Sequence, residues 1–314
     1  MSKVTKVILI TAGALIAIGV IVTIIGAIVL RNTAKKAVSE SETYTHMEKT
    51  LEDDFDKIDI SEISHDVIIR PSEDGEVKVD YYDSEKYVHT VEVKNDTLRI
   101  AVNDINNGRP WYENITIINP FQSTDNTDYQ IIIYLPEDSY GSLTIDAVSS
   151  DVTVPENYSF ENVKFATTSG EVHSYCVATG EVEADTVSGN VDLKNVNATA
   201  LDIDTTSGEI TLADVKVTGL LSISTTSGEV KLTDVETDDL NVNTVSGEVF
   251  LSGLITETAN IDTTSGDVTG TISGEHEYEV DTVSGDVDLP SNIRGASVIG
   301  IDTVSGDVNI EEAA

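Results

Sequence analysis

A Ser-Gly pair returns along the second half of the chain at a nearly fixed interval. Its glycines are Gly170, Gly189, Gly208, Gly228, Gly247, Gly266, Gly285 and Gly306, in steps of 19, 19, 20, 19, 19, 19 and 21 residues. Ser149-Ser150 is a degenerate earlier copy, with Ser150 twenty residues before Gly170. Three residues before every glycine stands Thr, as in Thr167, Thr205 and Thr303, and five before it are mainly Ile203, Ile223, Val242, Ile261, Val280 and Ile301. Two after it is always β-branched, from Val172 to Val308, and four after it Leu dominates, as in Leu193, Leu212, Leu232, Leu251 and Leu289. Period-two alternation on both sides of a fixed break means strand, turn, strand. Glycine at the break is expected to supply a positive φ, and the preceding serine to bond its own turn backbone.

One copy buries too few apolar residues to fold alone. Copies stacked at about 4.8 Å place like on like and build one core. A period near twenty therefore predicts an all-β, single-stranded parallel β-solenoid-like array, about 19–20 residues to the rung. Nine such rungs would form a rod of roughly 40 Å. The array reaches upstream, because Ile58-Asp-Ile60 through Val67-Ile-Ile69 matches Leu201-Asp-Ile203 through Ile210-Thr-Leu212, with His65 in the glycine position. Residues 77–82, 87–93, 98–102 and 129–135 also alternate as strands, and Lys94-Asn95-Asp96 reads as a hairpin turn. Residues 103–128, rich in Asn, Asp and Pro, read as an inserted loop. The chain thus divides into 1–30 (tip and membrane helix), 31–54 (a polar stalk, part helical), 55–142 (irregular rungs) and 143–314 (regular repeats).

Charge separates two environments. Residues 1–36 carry Lys3, Lys6, Arg31, Lys35 and Lys36 and no acid, a net +5; of 18 basic and 56 acidic residues, the remainder keeps 13 and 56, a net −43. So acidic a chain lacks the clustered Lys and Arg that nucleic acid requires. Val7 to Leu30 is uncharged throughout. As a helix it would span about 36 Å, enough for a hydrocarbon core of about 30 Å. A cleaved signal peptide is the competitor, but Ala34-Lys35-Lys36-Ala37 is a poor cleavage site. The reading is a single-pass signal anchor in the cell membrane. The flanking positive charge is nearly balanced, and the acidic remainder favours an exported C-terminal part. Cys176 is the lone cysteine, so no internal disulfide forms.

These residues carry a resemblance. Phe55-Asp-Lys-Ile-Asp-Ile, then Thr97-Leu-Arg-Ile, then Ile131-Ile-Ile-Tyr-Leu-Pro136, leading into Thr-x-Ser-Gly-[Asp/Glu]-Val repeats, resembles the bacterial "putative adhesin" domain of unknown function, also called the toastrack domain. The resemblance covers roughly residues 55–310. It implies a β-strand-repeat domain at the bacterial envelope, often membrane-anchored, with some members linked to envelope-stress and antimicrobial-peptide responses. It supplies no catalytic residues.

Three features could carry chemistry. Directly after the glycines come Glu209, Glu229, Glu248, Asp267, Asp286 and Asp307, a carboxylate ladder that Ca²⁺ could bridge. Asp is also ordinary beside a turn, and the Gly-Gly-x-Gly-x-Asp nonapeptide of calcium-binding β-rolls is missing, which favours a solvated face. The five histidines share no rung position and no ligand spacing, and His173 and Cys176, three apart on a strand, fall on opposite faces. The Thr and Ser ladders have no adjacent base, which points away from an enzyme. Aromatics concentrate upstream: Tyr81, Tyr82, Trp111 and Tyr112 belong to a group that would either stack on a glycan or protein partner or cap the open end of the solenoid. No cofactor is expected. The leading function is non-catalytic adhesion or scaffolding at the surface; the alternatives are a sensor of envelope stress or cationic peptides and a calcium-binding solenoid.

Overall fold

The computed structural model describes residues 43–104 and 129–313, and every regular element within them is a strand. Upstream are β1 (Thr45–Leu51), β2 (Lys57–Glu62), β3 (Asp66–Pro71), β4 (Val77–Asp83), β5 (Tyr87–Lys94) and β6 (Thr97–Asp104). Next come β7 (Gln130–Leu135), β8 (Ser139–Ala147), β9 (Val152–Val154), β10 (Ser159–Thr167), β11 (Val172–Ser174) and β12 (Val177–Ala178). They are followed by β13 (Glu181–Thr186), β14 (Val191–Lys194), β15 (Asn197–Ala198), β16 (Ala200–Asp204), β17 (Ile210–Ser224) and β18 (Val230–Asn243). The last are β19 (Val249–Asp262), β20 (Val268–Ile272), β21 (His276–Asp281), β22 (Val287–Asp288), β23 (Ser297–Asp302) and β24 (Val308–Glu312). Among the described residues no helix is long and apolar enough to cross a membrane. The apolar segment 7–30, most of the inserted loop, Trp111 and Tyr112 lie outside the described residues.

The solenoid is parallel and in register. On the side before the Ser-Gly corner, Val163 pairs with Val182, Val182 with Leu201, Leu201 with Leu221, and Leu221 with Leu240. On the side after it, Val172, Val191, Ile210, Val230, Val249 and Val268 form the matching column. Both columns are buried, and with a short third side (Val196, Val215, Val235, Leu254) they make one continuous core. Apolar stacking at every rung offsets the backbone entropy that a single rung could not.

The Ser-Gly corner works differently from the expectation. None of its glycines has a positive φ. Glycine is required by close approach: a Cβ on Gly189 would lie 1.8 Å from the carbonyl oxygen of Gly170, and on Gly208 1.8 Å from that of Gly189. Nor does the serine bond its own turn. The Ser188 and Ser246 hydroxyls donate to the carbonyls of Thr168 and Thr226, one rung back, at 3.3 and 3.4 Å. Positive φ falls at the second corner, six residues after the glycine, on Asn195, Asp214, Asp234 and Gly253. These are the residue types that tolerate a left-handed backbone best.

Layer order departs from chain order at both ends. Strand β2 lies between β6 and β8, with Ile58 facing Leu98 on one side and Leu143 on the other, and β3 lies likewise between β7 and β9. The β6–β7 layer is therefore outside a layer that precedes it in the chain. At the far end β23 lies between β19 and β21, and β24 between β20 and β22. The rung of Gly306 is inserted beneath the rung of Gly285.

The N-terminal end is closed by antiparallel strands. β5 and β6 form the expected hairpin, with Asn95 and Asp96 both left-handed. β4 pairs with β7, and β1 with β4 from Thr45↔Asp83 to Leu51↔Val77. The stalk assignment is thus corrected over residues 45–51, which are strand rather than helix or tether. Their side chains are mostly exposed and show no apolar face. What orders them is the row of backbone donors and acceptors on the open edge of β4. The loop assignment is also shortened, because Asn103 and Asp104 complete β6.

Candidate functional site

At a regular corner the threonine three residues before the glycine acts as a cap. The amides of Gly189, Gly208, Gly228 and Gly247 donate to Oγ1 of Thr186, Thr205, Thr225 and Thr244 at 2.9–3.1 Å. Outside it runs the acid ladder. Several of its members accept the amide of the next layer's ladder residue: Asp307 donates its N–H to Asp267, and Asp286 to Asp307, both at 2.8 Å. Lys231 bridges Glu209 and Glu229 at 2.9 and 3.0 Å. No three of the ladder acids converge on a common point among the described residues. Their carboxylates serve the corner backbone and a lysine.

Two corners break the pattern: one has Ala147 and Ser150 at the threonine and glycine positions, and the other carries ionisable groups there. In the β2–β3 layer the threonine position holds Glu62 and the glycine position holds His65, as the register Val67↔Val152 fixes. Glu62 Oε1 takes over the cap, accepting the amides of Ile63, Ser64 and His65 at 2.8, 3.1 and 3.3 Å. In the layer outside His65, β6 ends at Asp104 and β7 begins at Gln130, so the short Ser-Gly connection of the regular rungs is replaced by a longer stretch of sequence.

The other Glu62 oxygen, Oε2, lies 2.8 Å from His89 Nε2 on β5. His89 Nδ1 lies 2.9 Å from Asp83 Oδ1, which also accepts the His89 amide at 2.8 Å. His65 Nδ1 lies 3.6 Å from Glu62 Oε1. Glu62 and His89 are buried to 1% and 5% residual exposure, and His65 to 5%. Burial by itself raises the Glu62 carboxyl, but the hydrogen bond and charge of His89, aided by His65 and the Ser64 amide, hold it below its ordinary value. Burial likewise works against a charged His89, and Glu62 and then Asp83 overcome it and raise the imidazole.

Tyrosines enclose the pair. Tyr44 and Tyr129 pack 4.2 Å apart and present edges to His65 at 5.5 and 6.1 Å. Tyr81 packs against His89 at 5.4 Å, and Tyr82 against Tyr129 at 5.1 Å. Of the aromatics read as binding candidates, Tyr81 is thus buried in this wall and Tyr82 half-buried on its rim. His173 is half-exposed on β11, whereas Cys176 lies at the bend beyond that strand rather than on it and is buried, which raises its thiol.

A second, larger feature is acidic. Asp59, Asp146 and Asp185 line an open groove of about 550 Å³ together with Arg99, Ser61 and Thr167. Burial, then Glu183, pushes the Asp185 carboxyl up to about 6. Burial, then Asp59, raises Asp146; burial, then Asp202, raises Asp204; burial, then Asp262 and Asp281, raises Asp302. Over the middle rungs the same outward positions hold Ser222, Ser224, Asn241 and Asn243, which relieves stacked like charge.

Sequence reading placed His65 in the corner but not Glu62 in the threonine position or His89 beside them. Two ligand-type residues replacing both members of one Thr/Gly pair was the available signal.

A family model described as Toastrack DUF4097 matches residues 55–221 and 219–313. No curated protein matches the chain in sequence. Among solved structures, one described as a "putative lipid binding protein" from Parabacteroides distasonis ATCC 8503 is 20% identical, covering 87% of this chain and 99% of that one, with a TM-score of 0.51. A "putative adhesin" from Bacteroides fragilis NCTC 9343 is 12% identical over 88% and 100%, with a TM-score of 0.41. A "putative cell adhesion protein" from Clostridium sporogenes ATCC 15579 is 13% identical over 86% and 100%, with a TM-score of 0.22. The first of these likenesses supports the fold.

Proposed function

The chain belongs to the Toastrack DUF4097 family, and from that membership and the geometry above we propose a non-catalytic scaffold or adhesion module, held at the cell envelope by the apolar segment 7–30. The observation that carries this reading is the parallel stacking of the middle rungs, which lines up their outward positions in columns along the rod. Such a face offers many weak contacts along one line, which suits engagement of an extended glycan or protein better than turnover of a small substrate. Protease added to intact cells tests it. Cleavage within residues 40–314 is expected, with loss of attachment to the partner surface; full protection of that region in intact cells, but not in lysed ones, overturns it.

The acidic groove favours a second reading, recognition of cationic peptides. Asp59, Asp146 and Asp185 share the groove, and Asp59 and Glu183 add to the burial that raises Asp146 and Asp185, so a polycation seated there would meet several carboxylates. Binding of a cationic peptide that weakens steeply with salt is expected; no binding at low ionic strength removes the idea.

A further inference from the structure

We propose that Glu62, His65 and His89 form a site for one divalent transition-metal ion, with Zn²⁺ as the fitting occupant. The donor set is two imidazoles and one carboxylate, a combination that suits zinc and leaves a fourth position open. One ligand atom from each of the three lies within 4.8 Å of the others. Donors on a tetrahedral zinc, with bonds of about 2.0–2.1 Å, stand about 3.3 Å apart. His89 Nε2 lies 2.8 Å from Glu62 Oε2, while His65 Nδ1 lies 3.6 Å from the other oxygen, Oε1. A shell closed on Oε2 therefore requires the His65 ring to turn toward that oxygen.

The surroundings are arranged as an outer shell. Asp83 Oδ1 accepts from His89 Nδ1, which holds Nε2 toward Glu62 Oε2; an ion entering there would take the place of the Nε2 proton. Three backbone amides anchor Glu62 Oε1 and leave Oε2 for the ion. A dication bound by Glu62 would take over the positive charge that the His89 imidazole otherwise supplies in this buried place. Calcium and magnesium prefer oxygen shells and find only one carboxylate here. The capping role alone does not account for the departure, since Thr and Gly perform it at the regular corners. A bound ion would tie the β2–β3 corner to β5 and so fasten the closing hairpin to the rod.

The test uses the full chain, stripped with a chelator and reloaded with Zn²⁺ in millimolar Ca²⁺, which occupies the surface acids. One retained Zn²⁺ per chain is expected, with an X-ray absorption spectrum showing two imidazole nitrogens. His65→Gln and His89→Gln should each lower affinity at least about a hundredfold, and the positioning change Asp83→Asn about ten- to a hundredfold. No retained zinc, an all-oxygen shell, or undiminished binding by His65→Gln overturns the proposal. Should a histidine variant fail to fold, the coordination shell of the unaltered chain decides.

Discussion

A Cβ placed on Gly208 would meet the carbonyl oxygen of Gly189 at 1.8 Å. That contact ties the corner sequence to the spacing of the rungs. At this rung the layers sit at strand-pairing distance because nothing larger than hydrogen projects there.

Gly208→Ala should therefore destabilise the chain by about 3 kcal/mol, because the clash is with the backbone of the preceding rung, which strand pairing holds in place. Gly75→Ala is the control. Gly75 has φ +80° and nothing within 4 Å of an added Cβ, so only the left-handed penalty of about 1 kcal/mol applies. Urea midpoints of the two variants check this, and equal shifts would refute the steric reading.

Thr225 Oγ1 accepts the Gly228 amide at 2.9 Å in a fully buried place. Thr225→Val keeps the shape and strands that amide, at a cost of about 1–3 kcal/mol. Thr282, on the outermost layer, has a buried hydroxyl with no hydrogen-bond partner. Thr282→Val should be neutral or mildly stabilising. Denaturant melts of the two variants give the comparison.

The Asp185 carboxyl is raised from 3.8 to about 6 by burial and then by Glu183. A carboxyl raised by folding binds its proton more tightly in the folded state. Stability should therefore rise as the pH falls through 6 toward 3.8, and fall again as the pH increases. Asp146, Asp204 and Asp302 act in the same sense. The urea midpoint should be higher at about pH 5 than at about pH 7.5, and Asp185→Asn should narrow the gap. A carboxyl titration by NMR with no midpoint near 6 for Asp185 would remove the basis.

Removing residues 297–314 deletes β23 and β24, on which β21 and β22 rest. Amide exchange protection should then vanish from His276–Asp281, although those residues are intact. In a solenoid stacked in chain order they would keep their neighbour and their protection. Persisting protection would argue for a relaxed, sequential end.

The strand–turn–strand rung, the parallel columns, the hairpin at Asn95-Asp96 and the glycine-like place of His65 were all legible, because each follows from period-two alternation or turn chemistry. The layer exchange was not. Ile261, Val280 and Ile301 occupy equivalent positions, so a local pattern carries no record of which copy rests on which. β1 escaped notice because edge pairing orders it and no apolar stripe marks it. The second corner did leave a trace, in Asn195, Asp214, Asp234 and Gly253 at a constant distance from the glycine. For the site, the limit was distance along the chain. His89 reaches Glu62 only after the hairpin folds back, and nothing in one dimension links them.

The exchanged layers bear on the order in which the rod can be completed. Strands β21 and β22 are synthesised before the layer that supports them, so a growing chain cannot finish this end by simple winding. It must hold one rung in waiting until β23 and β24 arrive and slide in beneath. The end of the rod thus registers whether the chain has been made through residue 312, because a shorter product leaves β21 and β22 without the strands they pair with.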